Sequence, residues 1–534
     1  MGLCSLVSFF LVILLGLVVS SNAQVHIPMQ YRTHHDRYLN EKNEFLLSRE
    51  EILTAHEART VARLSYHHQK ELHSDTARVP LPGSIIPLGA YYLNIYLGKP
   101  GQKMTVDLDT GSSVLAVPGG ECGEKCGAPK IPLYATNQSK SAHPVQCSDE
   151  RCHMCHNETF SGGCQFQTLY GDGSYFRGYL VEDTVSVGGK YAAKVAFGVA
   201  TSLSPAPVYP IAGLIGFAYK EMACQPTCTL PLFDGLLRDG VVEHDVFSVC
   251  MERHSGGVLT LGGEDPIIKE KKLDLNWVDM NSTTPKTFYT VPVQSEVLFG
   301  NDKLMMEKDV EYGIVDTGTT LLLIPAGLFK QMKDSVHSDR HLCKKIPGLC
   351  GEKSWFEPFQ CVYGIDLKTL SHLPTLSITI GRKKSTWTME IPPEVYMLPV
   401  SHFQSSGVYM KPRSSIEPLS DGTVGYCIGI ATTNPPMWQG IGVIFGDTIM
   451  ANKYITVYDR ENQRMGFADM KQYSCAETVK SDNPKASKLS TKGYVWFGIS
   501  AVFVLSILSA ITYFVVKKCM SHRQSTQGYR EITG

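Results

Sequence analysis

The strongest constraint on the fold is a motif that occurs twice in the sequence. An apolar run that includes Asp107 ends in Asp-Thr-Gly-Ser at 109–112, and a second apolar run ends in Asp-Thr-Gly-Thr at 316–319. Farther along the chain, each copy is followed by another apolar run that ends in glycine, at 212–216 and at 443–446. A repeated pair of this kind predicts two similar lobes that face each other across a pseudo-twofold axis.

The region that carries these motifs is predicted to be mostly β. From residue 88 onward, short apolar and β-branched runs are separated by Gly, Pro and Asn, which is typical of strands. We therefore expect an all-β (mainly β) fold, with an N-terminal lobe over 81–285 and a C-terminal lobe over 286–475. The clearest runs are 91–97, 103–108, 179–187, 257–261, 376–380 and 454–458.

The N-terminus carries an export signal. An apolar run at 9–19 is followed by small residues, which predicts a signal peptide over 1–23. Export agrees with three Asn-x-Ser/Thr sequons, which predict glycosylation. The acceptor residues are Asn137, Asn157 and Asn281.

The other end of the chain predicts a membrane anchor. Residues 494–516 carry no charge and are long enough to span a bilayer as one helix. Lys517 and Lys518 follow directly, so the tail at 517–534 is expected in the cytoplasm. The polar segment 476–493 is then a flexible stalk. Together these features predict a type I single-pass membrane protein.

Residues 24–80 form a charged stretch before the β body. Ser48 and Glu51 have the spacing of a capping box, which predicts a helix. Two interpretations remain open: a solvated helical arm, or a removable inhibitory prosegment whose positive charge rises as the pH falls through the histidine range. The stretch contains seven histidines, His26, His34, His35, His56, His67, His68 and His73.

Cysteine usage favours disulfides. Fourteen of the sixteen cysteines lie between Cys122 and Cys475, and an even number in an exported body allows seven disulfides of unknown pairing. The alternative is a zinc site at 152–156, where cysteine and histidine cluster. An oxidising compartment favours the disulfides, so no metal is predicted.

The two aspartates of the repeated motif suggest a reaction. If the lobes bring Asp109 and Asp316 together, their carboxyls compete for one proton, because like charges this close cannot both ionise cheaply. One carboxyl can then act as a base on a water molecule while the other hydrogen-bonds a carbonyl group. This chemistry requires no cofactor, thiolate or serine nucleophile. The net charge of −1 provides no electrostatic footprint for nucleic acid.

The motifs resemble those of the pepsin family of aspartic proteases, over roughly residues 88–475. This resemblance implies a bilobal pepsin-like fold, to which the predicted transmembrane helix is added at the C-terminus, with Asp109 and Asp316 as catalytic residues. It implies that Thr110, Gly111, Ser112, Thr317, Gly318 and Thr319 support the pair. It further implies a flap over the substrate formed by Tyr170, Gly171 and Asp172.

The Cys-rich insert at 122–164 is similar to that of the nepenthesin-type branch, and with the anchor it resembles plasmepsin V and its relatives. The insert is interpreted either as an exosite or as a structural staple. Two positions depart from the pepsin pattern. Ala116 stands where pepsins commonly have the Trp that supports the flap tyrosine. Asp107 stands where an apolar residue is usual; if it is buried, it should disfavour the charged pair, and if a basic residue pairs with it, its effect should be small.

We therefore expect an aspartic endopeptidase, made as a zymogen, that acts on secretory, endosomal or surface proteins. An acid-active enzyme is one form, and a selective processing enzyme near neutral pH is the other. The alternative from another class is a catalytically silent peptide-binding receptor of the same fold. A monomer with protein or peptide substrates is expected. Endosome or lysosome, Golgi or ER, and cell surface all fit the predicted topology.

Overall fold

The computed structural model describes residues 76–475, except 85–88, 127–130, 156–162, 172, 205–210, 225–228, 254–255, 281–285, 359, 401–424, 434–439 and 472. All described residues belong to one compact unit of the chain. The predicted signal peptide, stalk, membrane span and tail lie outside them, as do the prosegment up to residue 75 and three predicted site residues, Asp172, Asn157 and Asn281.

The described residues are mostly strands joined by turns and short helices. The strands are β1 (Ala77–Leu81), β2 (Gly83–Ser84), β3 (Ala90–Leu97), β4 (Gln102–Asp109), β5 (Leu115–Pro118), β6 (His143–Pro144), β7 (Gln165–Leu169), β8 (Tyr175–Val187), β9 (Tyr191–Ser204), β10 (Gly213–Gly216), β11 (Val246–Glu252), β12 (Gly256–Leu261), β13 (Leu275–Asp279), β14 (Thr290–Phe299), β15 (Asp302–Met305), β16 (Tyr312–Val315), β17 (Leu322–Pro325), β18 (Cys361–Tyr363), β19 (Leu376–Arg382), β20 (Ser385–Ile391), β21 (Met397–Val400), β22 (Gly425–Ile428), β23 (Ile430–Thr433), β24 (Ile441–Phe445), β25 (Tyr454–Asp459) and β26 (Arg464–Asp469).

The helices are short, and apart from one they cover two turns or less. They are α1 (Leu232–Arg238), α2 (Pro266–Glu270), α3 (Ala326–Ser338), α4 (Arg340–Lys345), α5 (Leu367–Leu370), α6 (Pro393–Tyr396) and α7 (Asp447–Met450), with 3-10 turns at Gly120–Cys126, Thr136–Gln138 and Lys220–Cys224. The longest, α3, buries one face, since Leu328, Phe329, Met332 and Val336 recur at helical spacing.

Two large sheets repeat the same strand arrangement. In the first half, β4 pairs parallel with β10, which pairs antiparallel with β5, and β5 continues parallel to β9. In the second half, β16, β24, β17 and β23 pair in the same order and directions. The first of these sheets has nine strands and the second has eight. The predicted mainly β, two-lobed fold is therefore confirmed.

A six-stranded sheet connects the halves, in the order β1, β12, β11, β25, β26, β13. Its centre is aromatic: the rings of Phe247 on β11 and Tyr458 on β25 stack with centroids 4.4 Å apart. Strand β1 pairs with β12, with Ala77 opposite Leu261. The last four residues of the predicted prosegment, 77–80, thus take part in this sheet, and the boundary at residue 80 stays a prediction.

Long-range disulfides and short-range disulfides both occur. Cys250–Cys475 ties β11 to the end of the described body, and Cys361–Cys427 joins β18 to β22. Within the Cys-rich insert the pairs are Cys122–Cys126, Cys147–Cys155 and Cys152–Cys164, and Cys343 in α4 pairs with Cys350 after the helix. The disulfide interpretation is confirmed for these twelve cysteines. The zinc alternative is wrong, because both cysteines of the 152–156 cluster are consumed by disulfides.

Among the residues that the structure describes, no helix is both long and apolar enough to cross a membrane. The predicted span at 494–516 lies outside these residues and stays a prediction.

Candidate active site

Each Asp-Thr-Gly turn is held by the apolar run that ends in glycine. The first turn follows β4, and its Asp109 carbonyl accepts a hydrogen bond from Phe217 N at 2.7 Å, directly after β10. The second turn follows β16, and Asp316 N donates to the carbonyl of Phe445 at 3.1 Å, at the end of β24. The equivalent strands therefore position both turns.

Glycine is required at the ends of both apolar runs. A Cβ added to Gly216 would lie 2.4 Å from the backbone nitrogen of Ser113, and one added to Gly446 would lie 2.3 Å from the carbonyl oxygen of Thr319. Real Cβ contacts are longer, so a larger residue would push each Asp-Thr-Gly turn out of place.

The two turns are hydrogen-bonded to each other through their threonines. Thr110 N donates to Thr317 Oγ1 at 3.1 Å, and Thr317 N donates to Thr110 Oγ1 at 3.0 Å. Each hydroxyl also donates to the opposite strand, Thr110 to the carbonyl of Val315 at 3.0 Å and Thr317 to that of Leu108 at 2.7 Å. Both threonines are buried, so these four bonds connect the lobes without competition from water.

Asp109 is held by donors from its own turn. Its Oδ1 accepts from Gly111 N at 2.8 Å, and its Oδ2 accepts from the Ser112 hydroxyl at 2.5 Å. The side chain is almost fully buried, with 2% of its residue surface exposed. Burial raises the pKa of Asp109 above its ordinary value, although the hydrogen bonds from Ser112, Gly111 and Asp316 lower it in part.

Asp316 has the same arrangement. Gly318 N donates to Oδ1 at 2.8 Å and the Thr319 hydroxyl to Oδ2 at 2.7 Å. Asp316 is buried like Asp109, with 3% of its residue surface exposed. A Cβ on Gly111 would lie only 2.6 Å from Cγ of Asp316, which shows how closely the second carboxyl approaches the first turn.

The predicted flap is a hairpin between β7 and β8. Tyr170 N donates to the carbonyl of Ser174, and Gly173 N donates to the carbonyl of Tyr170, both at 2.9 Å. The ring of Tyr170 is half-buried and lies edge-on to Phe176 with centroids 6.2 Å apart. It packs against a buried cluster of the first lobe that includes Phe176 and Ala116. Gly171 is at the exposed tip.

Asp447 is a residue of the site that sequence reasoning missed. It follows Gly446 and caps the second turn, with its backbone nitrogen donating to the carbonyl of Thr319 at 2.9 Å. Its carboxyl is fully buried. Burial, followed by repulsion from Asp107 and Asp316, raises its pKa well above the ordinary value. One sequence feature pointed to this residue: the second apolar run is followed by an acidic residue, Asp447, whereas the first is followed by Phe217.

The structure also places two other positions singled out in the sequence, Asp107 and Asn137. Asp107 on β4 is buried, with 3% of its surface exposed, which is the first of the two environments considered for it. Asn137 is exposed in a 3-10 turn. Within the described ranges, no group of three or more His, Cys, Asp or Glu side chains could hold a metal ion.

A two-lobed β fold with paired Asp-Thr-Gly turns at the lobe junction defines an aspartic protease. Comparison with known proteins agrees: the family model described as eukaryotic aspartyl protease matches residues 90–470. The chain therefore belongs to the pepsin-like aspartic proteases, and it is an aspartic endopeptidase. The predicted resemblance to the pepsin family is confirmed, while the nepenthesin-type branch stays a prediction.

Its relatives include cathepsins and pepsin. The chain is 31% identical to cathepsin D of Mus musculus over 396 residues, which are 71% of this chain and 80% of the relative. It is 29% identical to cathepsin E of Aquarana catesbeiana over 391 residues, 72% of this chain and 80% of that protein. It is 26% identical to pepsin A of Rhinolophus ferrumequinum over 383 residues, 71% and 80% of the two chains.

Proposed function

We propose that Asp109 and Asp316 are the catalytic pair and hydrolyse peptide bonds with a water molecule as the nucleophile. The observation that carries this proposal is the pair of reciprocal hydrogen bonds between Thr110 and Thr317, which holds the two buried carboxyls side by side. Because two charges so close in a buried site repel each other strongly, the pair holds one proton over a range of acid pH. A pair with one proton offers a base and an acid at the same place.

The reaction uses the two carboxyls in different protonation states. The ionised carboxyl accepts a proton from water, whose oxygen attacks the carbonyl carbon, while the protonated carboxyl hydrogen-bonds the carbonyl oxygen. Protonation of the peptide nitrogen then lets the amine leave. The raised pKa of Asp109 supports a shared proton. The donors that fix the pair in this role are those of Thr110, Gly111, Ser112, Thr317, Gly318 and Thr319.

The substrate is an extended peptide strand between the lobes. The hairpin of Tyr170 supports this proposal, since it places an aromatic ring on a short β-turn that can cover a bound strand and exclude water. Gly171 and Asp172 complete the flap. Polypeptides are the substrates that this arrangement accommodates, and the enzyme acts as a monomer.

The substrates are proteins of the secretory pathway, endosomes or cell surface. The six disulfides among the described residues support a body that folds in an oxidising compartment. The predicted signal peptide and membrane span give the enzyme type I topology, with the catalytic body on the lumenal or extracellular side.

One observation favours a second form of the proposal, a selective processing enzyme active near neutral pH. Asp107 is buried two residues before Asp109, on the same strand face. A negative charge there disfavours ionisation of the pair, which moves the alkaline limb of activity to higher pH. A silent receptor would be expected to have lost an Asp or Gly from one motif, but both motifs are intact.

Cleavage of a peptide library by the purified full-length protein, from pH 3 to pH 8, tests the proposal. Activity that a statine-type transition-state mimic abolishes is the expected result, and the library product ends report the preferred cleavage site. Cleavage activity that is highest at acid pH supports the acid-active form of the enzyme. Cleavage activity that is highest near neutral pH, and whose optimum moves to lower pH in Asp107→Asn, supports the selective processing form. A folded protein that lacks residues 24–75, keeps strand β1 and shows no activity would contradict both forms.

A further inference from the structure

A cavity of about 500 Å³ lies in the first lobe. Its volume is within the range of roughly 300–1,000 Å³ that small-ligand sites occupy. None of its lining residues belongs to an Asp-Thr-Gly turn or to residues 170–172. The lining includes Glu121, Thr136, Asn137, Gln146, Gly163 and Tyr179.

The sequon residue Asn137 forms part of this lining. It is exposed in the 3-10 turn Thr136–Gln138, and it is followed by Gln138 and Ser139. The turn is fixed to the protein interior, because the hydroxyl of Ser139, which follows the turn, donates a hydrogen bond to Asp183 Oδ2 at 2.7 Å. Asp183 is fully buried and also accepts from the hydroxyl of Tyr134 at 2.6 Å. The acceptor amide is therefore held at the cavity by a rigid turn.

The chemistry of the lining suits a neutral, hydroxyl-rich ligand. Tyr179 OH donates to Glu121 Oε1 at 3.1 Å and lies 3.1 Å from the hydroxyl of Thr136. Gln146 contributes an amide at the exposed rim. Carboxylate, hydroxyl and amide groups beside an aromatic ring can hydrogen-bond sugar hydroxyls and contact the apolar faces of a sugar ring. The lining contains no Lys or Arg, which an anionic ligand would require.

The Cys-rich insert builds one wall of the cavity. Gln146 and Gly163 form an isolated antiparallel β-bridge. On either side of this bridge, Cys147 pairs with Cys155 and Cys152 pairs with Cys164. Disulfides this close hold the wall in place before any ligand is present, which reduces the entropy lost on binding.

We propose that the cavity seats the first sugars of an N-linked glycan on Asn137, so that the Cys-rich insert serves as a platform for the glycan. Attachment joins C1 of the sugar to Nδ2 of Asn137, which loses a proton, while the lipid diphosphate of the donor leaves with the bonding electron pair. The seated sugars hydrogen-bond the lining and cover the ring of Tyr179. The inference rests on the secretory route of the proposed function, but not on its proteolytic activity.

Glycan release from the native full-length protein tests this inference. The protein is made in glycosylating cells, treated with a peptide N-glycosidase without denaturant, and followed by mass spectrometry of the Asn137 peptide. Gln146→Trp at the exposed rim fills the cavity, and Gln146→Ala removes only the amide. Gln138→Ala is the matched control, because Gln138 is exposed on the same turn, outside the lining, and its change keeps the sequon.

We expect Asn137 to carry a glycan. Its release should be about tenfold slower from the wild type and from Gln138→Ala than from Gln146→Trp. A tenfold difference in rate corresponds to the contribution of about one or two hydrogen bonds. Gln146→Ala should be intermediate. After denaturation all rates should be equal. An unmodified Asn137, or equal native rates in the wild type and both Gln146 variants, would overturn the inference. Neither readout uses peptide cleavage, so an inactive enzyme would leave the result unchanged.

Discussion

The hydroxyls of Thr110 and Thr317 each accept a hydrogen bond from the backbone nitrogen of the other residue, at 3.0 Å and 3.1 Å. The two residues are 207 positions apart in sequence, and each belongs to a different Asp-Thr-Gly turn. The relative position of the two carboxyls is therefore fixed by a reciprocal contact that neither lobe can make alone.

Removal of either threonine hydroxyl should loosen this contact. Thr110→Val keeps the side-chain shape but leaves Thr317 N and the carbonyl of Val315 without their partner. We expect a loss of about 1–3 kcal/mol in the free energy of unfolding and about a 10- to 100-fold fall in kcat. Urea denaturation and steady-state kinetics measure the two effects. Thr110→Ser keeps the hydroxyl and is the control; equal damage by both variants would contradict the role of the hydrogen bond.

Gly111 should not tolerate a side chain. A Cβ there would lie 2.6 Å from Cγ of Asp316, so Gly111→Ala must displace the second carboxyl. Because misplacement of a catalytic group by about 1 Å can cost roughly 100-fold in rate, we expect a fall in kcat of this order. Gly120→Ala is the control, since its nearest neighbour would be 3.9 Å away. Unchanged kcat in Gly111→Ala would mean that the carboxyl positions described here are not those of the working enzyme.

Asp447 should make stability depend on pH. Burial, then repulsion from Asp107 and Asp316, raises its folded-state pKa well above the ordinary value of 3.8. The stabilisation from its protonated form is therefore complete below that ordinary value and is lost as the pH rises through the folded-state pKa. We expect Asp447→Asn, which cannot ionise, to differ little from the wild type in the free energy of unfolding near pH 3 and to become relatively more stable as the pH rises.

Denaturant unfolding at several pH values measures this difference. Asp309→Asn, a change of an exposed carboxyl in the same lobe, is the matched control. If the difference between Asp447→Asn and the wild type stays constant with pH, Asp447 does not hold its proton in the folded protein.

The ring of Tyr170 should matter more than its hydroxyl. The ring lies edge-on to Phe176 and packs against the buried cluster that includes Ala116. We therefore expect Tyr170→Ala to lower kcat/KM by about 10-fold or more and Tyr170→Phe to lower it less. Kinetics with one peptide substrate separate the two. If Tyr170→Phe lowers kcat/KM as much as Tyr170→Ala does, the hydroxyl and not the ring is responsible for the effect.

The sequence predicted the parts of the fold that depend on local patterns. Alternating apolar runs identified strands such as β4 and β19, and the repeated Asp-Thr-Gly motif identified the two lobes, because a turn motif after a buried strand is a local property. Disulfide pairing and the six-stranded sheet were not predicted. Ala77 pairs with Leu261, and Cys250 with Cys475, across sequence separations that no local pattern specifies.

The catalytic site was predicted less completely than the fold. Asp109 and Asp316 were visible because their motif repeats, whereas the burial of Asp447 depends on the second turn folding over it. The role of Asp107 also depended on its surroundings, since a carboxyl on a strand can be either buried or paired with a base. Burial of a single polar residue among apolar neighbours cannot be read from its own position in the sequence.

The most direct test of the account compares kcat for the wild type, Asp109→Asn, Asp316→Asn and the double variant on one peptide at the optimum pH. Because one shared proton makes the two carboxyls a single functional unit, we predict that each single change lowers kcat almost as far as the double change. Circular dichroism confirms that the variants are folded. A folded single variant that keeps kcat near the wild-type value would contradict the assignment of Asp109 and Asp316 as the catalytic pair.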